Sequence, residues 1–262
     1  MTEIVVAERI FRDATSRASV TARVFAPKMF EGASDWSCKI EIQGLATPFK
    51  RSIFGVDSFQ ALELATSLLC TLLERHEASL AFLDGSPGDC ALPLIAFCPP
   101  SLKADAREFI RGKIEDNLNS HQGAIAPPPA SEATRATDSA VAERVFWDSV
   151  SGESVTARMF TPERTGQTEW SCKITVQGLA VPFETSVLGV DSFQSLYLGL
   201  RLLCAHLETY EANLAGPDGT LGDGGLPLIT LCLPPSLKPD VNRFVEAKLR
   251  DHLKHRSLDQ QA

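Results

Sequence analysis

The residues predict an α+β protein built twice: two tandem copies of an antiparallel four-stranded sheet packed by helices, each running ββββ-α-β-α. Three observations predict it. The chain repeats itself at a spacing of ~135 residues, far longer than the unit of a stacked solenoid. Within each copy, stretches of period two come first and stretches of helical period follow. Between the copies lies a segment with almost no large apolar residues.

The repeat is dense. VAERIFRD at Val6–Asp13 returns as VAERVFWD at Val141–Asp148, and WSCKIEIQGLATPF at Trp36–Phe49 returns as WSCKITVQGLAVPF at Trp170–Phe183. From Trp36 to Cys98, 38 of 63 positions are identical in the second copy, which makes this a tandem duplication and not a chance resemblance. The reading sets module one at 1–118, a linker at 119–139, module two at 140–256 and a tail at 257–262. The linker, NSHQGAIAPPPASEATRATDS, carries three consecutive prolines among Ala, Ser and Thr and cannot fold alone. Its reach of roughly 25 Å lets the modules touch. Each module is long enough to bury a core of its own, and the short linker favours their pairing as an intramolecular pseudo-dimer that hides sheet edges.

The elements follow in order. Val20, Ala22 and Val24 alternate with Thr21 and Arg23, and Trp36, Cys38, Ile40 and Ile42 alternate with polar neighbours. Such alternation puts one face of an antiparallel sheet on a core and the other in water. Gly44-Leu45-Ala46 and Gly178-Leu179-Ala180 mark the turns into strand four. A helix then opens at Asp57, with Gln60 three residues on, and again at Asp191 with Gln194. This is capping-box spacing, with the carboxylate accepting from free helix amides. Phe59, Leu62, Ala65, Leu69, Leu72 and Leu73 form the stripe that lies on the sheet. Leu92–Cys98 reads as a short buried strand. A second helix spans Ala104–Asn117 and Pro239–Lys254, with proline suited to a first turn.

Composition bounds the function. A net charge of −8 disfavours nucleic acid as a partner, because phosphate recognition needs clustered Lys and Arg. No run of ~18 uncharged apolar residues is present, so no membrane helix is expected. The N-terminus, MTEIVVAERIFRD, lacks the basic and apolar regions of a secretory signal, which points to the cytoplasm and to reduced thiols.

No residue set announces catalysis, and no cofactor or metal is expected. Cys38, Cys70 and Cys98 recur as Cys172, Cys204 and Cys232 without the close spacing of a zinc site, and read as core. The five histidines do not recur and read as surface residues. Asp84 and Asp89, like Asp218 and Asp223, flank a glycine loop that reads as a turn and not as a calcium loop. Glu8-Arg9 and Glu143-Arg144 read as an ion pair on the open sheet face or, more sharply, as a partner-binding patch. Arg23, Lys39 and Gln43, with Arg158, Lys173 and Gln177, would extend it.

GVDSFQALEL resembles the acyl-carrier-protein signature, in which the serine carries phosphopantetheine; that would make Ser58 and Ser192 modification sites. Carriers are helical bundles, whereas the flank here alternates as strands, and capping alone accounts for Asp, Ser and Gln. Each module as a whole resembles a family of small bacterial proteins of unknown function. The resemblance rests on Glu8-Arg9, Trp36/Cys38, Gly55–Leu62 and Gly88–Pro93, and on Glu143-Arg144, Trp170/Cys172, Gly189–Leu196 and Gly222–Pro227. That family is typically single-domain and brings no activity with it. The expected function is a non-catalytic cytoplasmic binding protein, an adaptor or immunity protein toward another protein. A small-ligand site or active site between the modules is the alternative.

Overall fold

The computed structural model describes residues 3–30, 35–76, 79–82, 85, 92, 95–96, 105–106, 108–110, 112–113, 140–210, 213–216, 226, 228–229, 240–241, 243–245, 247–248 and 250. The linker, the tail, the four loop aspartates, Cys98, Cys232, His121, His252 and His255 lie outside the described residues.

The first copy contains β1 (Val5–Asp13), β2 (Ser19–Phe25), β3 (Lys28–Met29), β4 (Trp36–Gln43), β5 (Phe49–Gly55), helix α1 (Ser58–Glu74), β6 (Leu80–Phe82) and β7 (Ile95–Ala96). Helical residues within 105–113 form α2. The second copy repeats this with β8 (Ala140–Asp148), β9 (Ser154–Phe160), β10 (Glu163–Arg164), β11 (Trp170–Gln177), β12 (Phe183–Gly189), α3 (Ser192–Glu208), β13 (Leu214–Ala215) and β14 (Leu228–Ile229). Helical residues within 240–250 form α4.

Each sheet is antiparallel, with β5, β4, β2, β1 and β6 side by side in the first copy and β12, β11, β9, β8 and β13 in the second. The two-residue β3 continues β2 along the same edge of β4. Pro27, which has no amide to donate, stands at the break. Gly44 and Gly178 turn the chain between β4 and β5, and between β11 and β12, with φ of +89° and +90°, where a side chain would be strained.

The structure departs from the sequence reading in three respects. Leu80–Phe82 forms an extra strand on the β1 edge, pairing Phe11–Asp13. The described part of the strand expected within Leu92–Cys98, β7, pairs antiparallel with β14 of the other copy and not with its own sheet, with Ile95 opposite Ile229. The two copies also lack separate cores. Buried side chains of both, from Phe11 and Leu62 to Phe146 and Leu196, form one continuous cluster. The reason lies in the long helices. α1 covers β4 and β5 of its own sheet and also packs on β8, while α3 covers β11 and β12 and also packs on β1.

Among the described residues no helix is long and apolar enough to cross a membrane.

Candidate functional site at the seam between the copies

Successive strand residues point to opposite faces, so Glu8 and Arg9 cannot share one. Arg9 stands in the apolar row between Ala7 and Phe11, opposite Ala22, and is 1% exposed. Arg144 in β8 is its counterpart, opposite Ala157 and 2% exposed. The expectation of an open-face Glu-Arg pair is therefore corrected: the arginines belong to the inner face, and the glutamates alone to the outer.

A buried guanidinium needs a carboxylate, and each arginine finds it on the other copy. Arg9 Nε and Nη2 donate to Asp191 Oδ2 and Oδ1 at 2.8 and 3.2 Å. Arg144 Nε and Nη2 donate to Asp57 Oδ2 and Oδ1 at 2.9 and 3.3 Å. This two-pronged geometry is the strong form of the ion pair. Aromatic rings wall it in. The Arg9 guanidinium lies 4.1 Å from the Phe82 ring centre and 5.1 Å from that of Phe193, and Arg144 lies 4.9 Å from that of Phe59.

The aspartates are held by the helix start. Asp57 Oδ1 accepts from the Gln60 amide at 2.7 Å and Asp191 Oδ1 from the Gln194 amide at 2.6 Å. The glutamine carboxamide oxygens accept from Val56 and Val190 amides, one residue ahead of the cap. Gly55 and Gly189 let the strand end come close: a Cβ on either would sit 2.4 Å from the amide nitrogen of Ala61 or Ser195.

The serine beside each cap completes the seam. Ser192 Oγ accepts the Glu8 amide at 2.9 Å and donates to the Glu8 carbonyl at 3.2 Å. Ser58 Oγ accepts the Glu143 amide at 2.8 Å and donates to the Glu143 carbonyl at 3.1 Å. Among the described residues β6 pairs Phe11–Asp13 and stops short of this part of the β1 edge, where one hydroxyl supplies a partner for both main-chain groups. Both serines are 6% exposed. Both hydroxyls are committed to these main-chain bonds, whereas the carrier resemblance needs a free one.

The arginine–aspartate and serine–main-chain contacts each have their counterpart with the copies exchanged, the mark of an isologous interface. The local twofold passes between residues that are counterparts of each other. Ile95 faces Ile229, and the rings of Phe109 and Phe244 stack at 4.1 Å with a 4° interplanar angle. Lys248–Asp105 at 2.7 Å and Lys113–Asp240 at 3.7 Å flank that stack.

Two positions break the symmetry: Phe82, which covers Arg9, is matched by Gly216 in the second copy, and Glu63 is matched by a tyrosine. Glu63, fully buried in α1, puts Oε2 at 3.8 Å from Arg144 Nη2 and Oε1 at 3.8 Å from Cys204 Sγ. Its counterpart in α3 is Tyr197. Burial opposes the charge on Arg144, but Glu63 and Asp57 outweigh it and hold the guanidinium above its ordinary pKa.

The remaining sequence-predicted residues sit elsewhere. On the outer face, Arg23 donates to Glu8 at 2.6 Å and to Gln43 at 3.2 Å, and Arg158 to Glu143 at 2.5 Å and to Gln177 at 2.9 Å. Lys39 pairs with Glu3, and Lys173 with Glu184 at 2.9 Å. The patch thus splits into an inner pair and two outer rows. Cys38 and Cys172 are core residues, and burial pushes both thiols up to about 12, far from the reactive range.

A family model described as a domain of unknown function, DUF6968, matches residues 7–94 and again 142–226. The chain belongs to the DUF6968 family. No curated protein and no solved structure matches it. In this DUF6968 protein, the two matched regions carry the same four seam residues: Arg9, Asp57, Ser58 and Glu8 in one, and Arg144, Asp191, Ser192 and Glu143 in the other.

The signal that reveals the seam is present in the sequence. An arginine in phase with Ala7 and Phe11, repeated with Ala142 and Phe146, requires a buried carboxylate. The repeated cap aspartate supplies one, although local pattern gives no address for it across 182 residues.

Proposed function

We propose that this protein is a non-catalytic binding protein of the cytoplasm, of adaptor or immunity type, which presents the outer faces of its paired sheets to another protein. The observation that carries this reading is the division of labour among repeated residues. Arg, Asp and Ser of both copies are occupied in holding the copies together, while the outer faces keep large apolar side chains in water. Ile10 is 54% exposed, Val145 48% and Trp147 55%, beside the polar rows Glu8–Arg23–Gln43 and Glu143–Arg158–Gln177. Apolar side chains rimmed by polar ones are a feature of protein-binding surfaces.

A photo-cross-linking residue at Ile10 or Trp147 in the producing cell tests it. The reading expects one stoichiometric adduct, absent when the probe is placed at exposed Val181 or Val150. A ladder of unspecific adducts, or none, overturns it.

One observation favours a second reading. An open cleft of about 820 Å³ lies between the copies, lined by Pro27, Trp36 and Ser58 from one and Val141, Glu143 and Val145 from the other. Clefts of this size take small ligands. Stabilisation of the whole chain by one compound in a metabolite screen, lost in Trp36→Ala, supports this reading; a flat screen removes it.

A further inference from the structure

The two copies share their interior, yet one exposed region has diverged in chemistry. At the β3–β5 corner the first copy carries Lys28, Phe30, Lys50, Arg51 and Phe54. The second copy carries Glu163, Thr165, Glu184, Thr185 and Leu188 at the same positions. At these five positions three cations and two rings in the first copy correspond to two glutamates, two threonines and a leucine in the second, although Arg164 replaces Met29 and Thr175 replaces Glu41 nearby. Lys28, Lys50 and Arg51 are exposed, and Phe30 and Phe54 are 49% and 50% exposed. The two rings meet edge to face at 5.4 Å, a preformed apolar anchor point.

β5 is also an edge. Among the described residues it pairs only with β4, through Phe49–Gly55, and its other side carries no strand. An open edge offers main-chain donors and acceptors to an added strand, and natural edges use lysine and arginine to restrict what can add. The corner already attracts an anion. Glu3 pairs with Lys39, and that hydrogen bond, together with the charges of Lys39, Lys50 and Lys28, draws its carboxyl below the ordinary range.

We infer that the β5 edge of the first copy takes an extended acidic segment of a partner protein as an added strand, with an apolar side chain against Phe30 and Phe54. The inference rests on the binding-protein reading and names the partner's chemistry. The main chain supplies affinity, the rings supply an anchor, and Lys50 and Arg51 supply charge selection. The second copy, whose matching edge carries Thr185 and a Glu184 paired with Lys173, lacks the cations that would draw the same segment.

The test uses the full chain and a fluorescent peptide of about ten residues, a common strand length. The peptide alternates Glu and Val around one Phe; a control replaces every Glu by Lys. Fluorescence anisotropy is read for the natural chain and for Lys50→Glu/Arg51→Thr/Phe54→Leu, which gives the first copy the second copy's residues. The substituted side chains are exposed or at an edge, so an unchanged melting curve certifies the fold. Saturable binding of the acidic peptide is expected, weaker by at least about tenfold in the variant and falling with salt. Equal binding by the variant, equal binding of the lysine peptide, or no saturable binding overturns the inference. So does self-association of the chain in sedimentation that the variant abolishes, since the edge would then belong to a second copy of the chain. A cross-linked partner that still binds the variant sinks this inference alone. A cell that yields no partner, with peptide binding intact and edge-dependent, sinks the binding-protein reading alone.

Discussion

Arg9 and Arg144 hold equivalent positions in the two halves, but their surroundings differ. Arg9 meets one cap aspartate, Asp191, beneath the rings of Phe82 and Phe193. Arg144 meets Asp57 and, in addition, the fully buried Glu63, whose counterpart is Tyr197. A duplicated interface can thus drift in detail while its closing contacts stay reciprocal. The difference also predicts which half of the seam is more fragile. Breaking a buried ion pair is costly chiefly because the surviving charge is stranded. Among the described residues, two carboxylates are stranded on one side and one on the other.

The largest effect is therefore expected for Arg144→Met, a loss of about 3–5 kcal/mol in equilibrium unfolding. Among the described residues Arg9→Met strands one carboxylate, Asp191, whose side chain is 19% exposed, and falls at the lower end of that range or below it, about 2–3 kcal/mol. If the two variants lose the same stability, Glu63 plays no part in the difference. Glu63→Gln sharpens the comparison from the other side: it should bring the Arg144→Met loss down to that of Arg9→Met.

Ser58→Ala comes next. It leaves both the Glu143 amide and carbonyl without their partner at an edge position, a cost of about 1–3 kcal/mol. Ser192→Ala should cost the same, because its bonds to Glu8 match in kind. Unequal losses would break the claim of reciprocity.

The smallest effect is a pH dependence confined to the second copy. The His206 ring stacks on Phe183 at 4.0 Å, and partial burial lowers its pKa from 6.5. The unfolded chain then binds a proton more readily than the folded one. Stability is full above about pH 6.5 and falls as pH drops below it, until the folded-state value is passed. His206→Phe should flatten that part of the stability profile; an unchanged slope would assign it to other groups.

Much of the fold was legible because it is local. Alternation at Val20–Val24, the cap pairs Asp57/Gln60 and Asp191/Gln194, and the stripe from Phe59 to Leu73 each lie within one element, and each stands as read; in Trp36–Ile42 the apolar row is inside as read, but Ser37 and Lys39, expected in water, are buried too. What escaped was non-local. Leu80–Phe82 is too short to carry a period, and only the free edge of β1 makes it a strand. Ile95 and Ala96 find their partners, Ile229 and Leu228, in the other copy. Arg9 was legible in type and misplaced in role. Its adjacency to Glu8 suggested a surface pair, whereas its phase with Ala7 and Phe11 places it inside. The cap aspartates were read for their helix alone, since nothing within ten residues of Asp57 shows that an arginine from Val141–Asp148 would reach it.

The central claim is that the repeated arginine and the repeated cap aspartate are one device joining the copies. A double-mutant cycle between Arg144 and Asp57 tests it most directly. Arg144→Met removes the guanidinium, and Asp57→Asn removes the charge while keeping a good capping oxygen for the Gln60 amide. The two residues should be coupled by more than about 1.5 kcal/mol, so that the double variant is much less unstable than the sum of the singles. Additive losses would mean that Asp57 serves only its helix and that the copies are joined by something else.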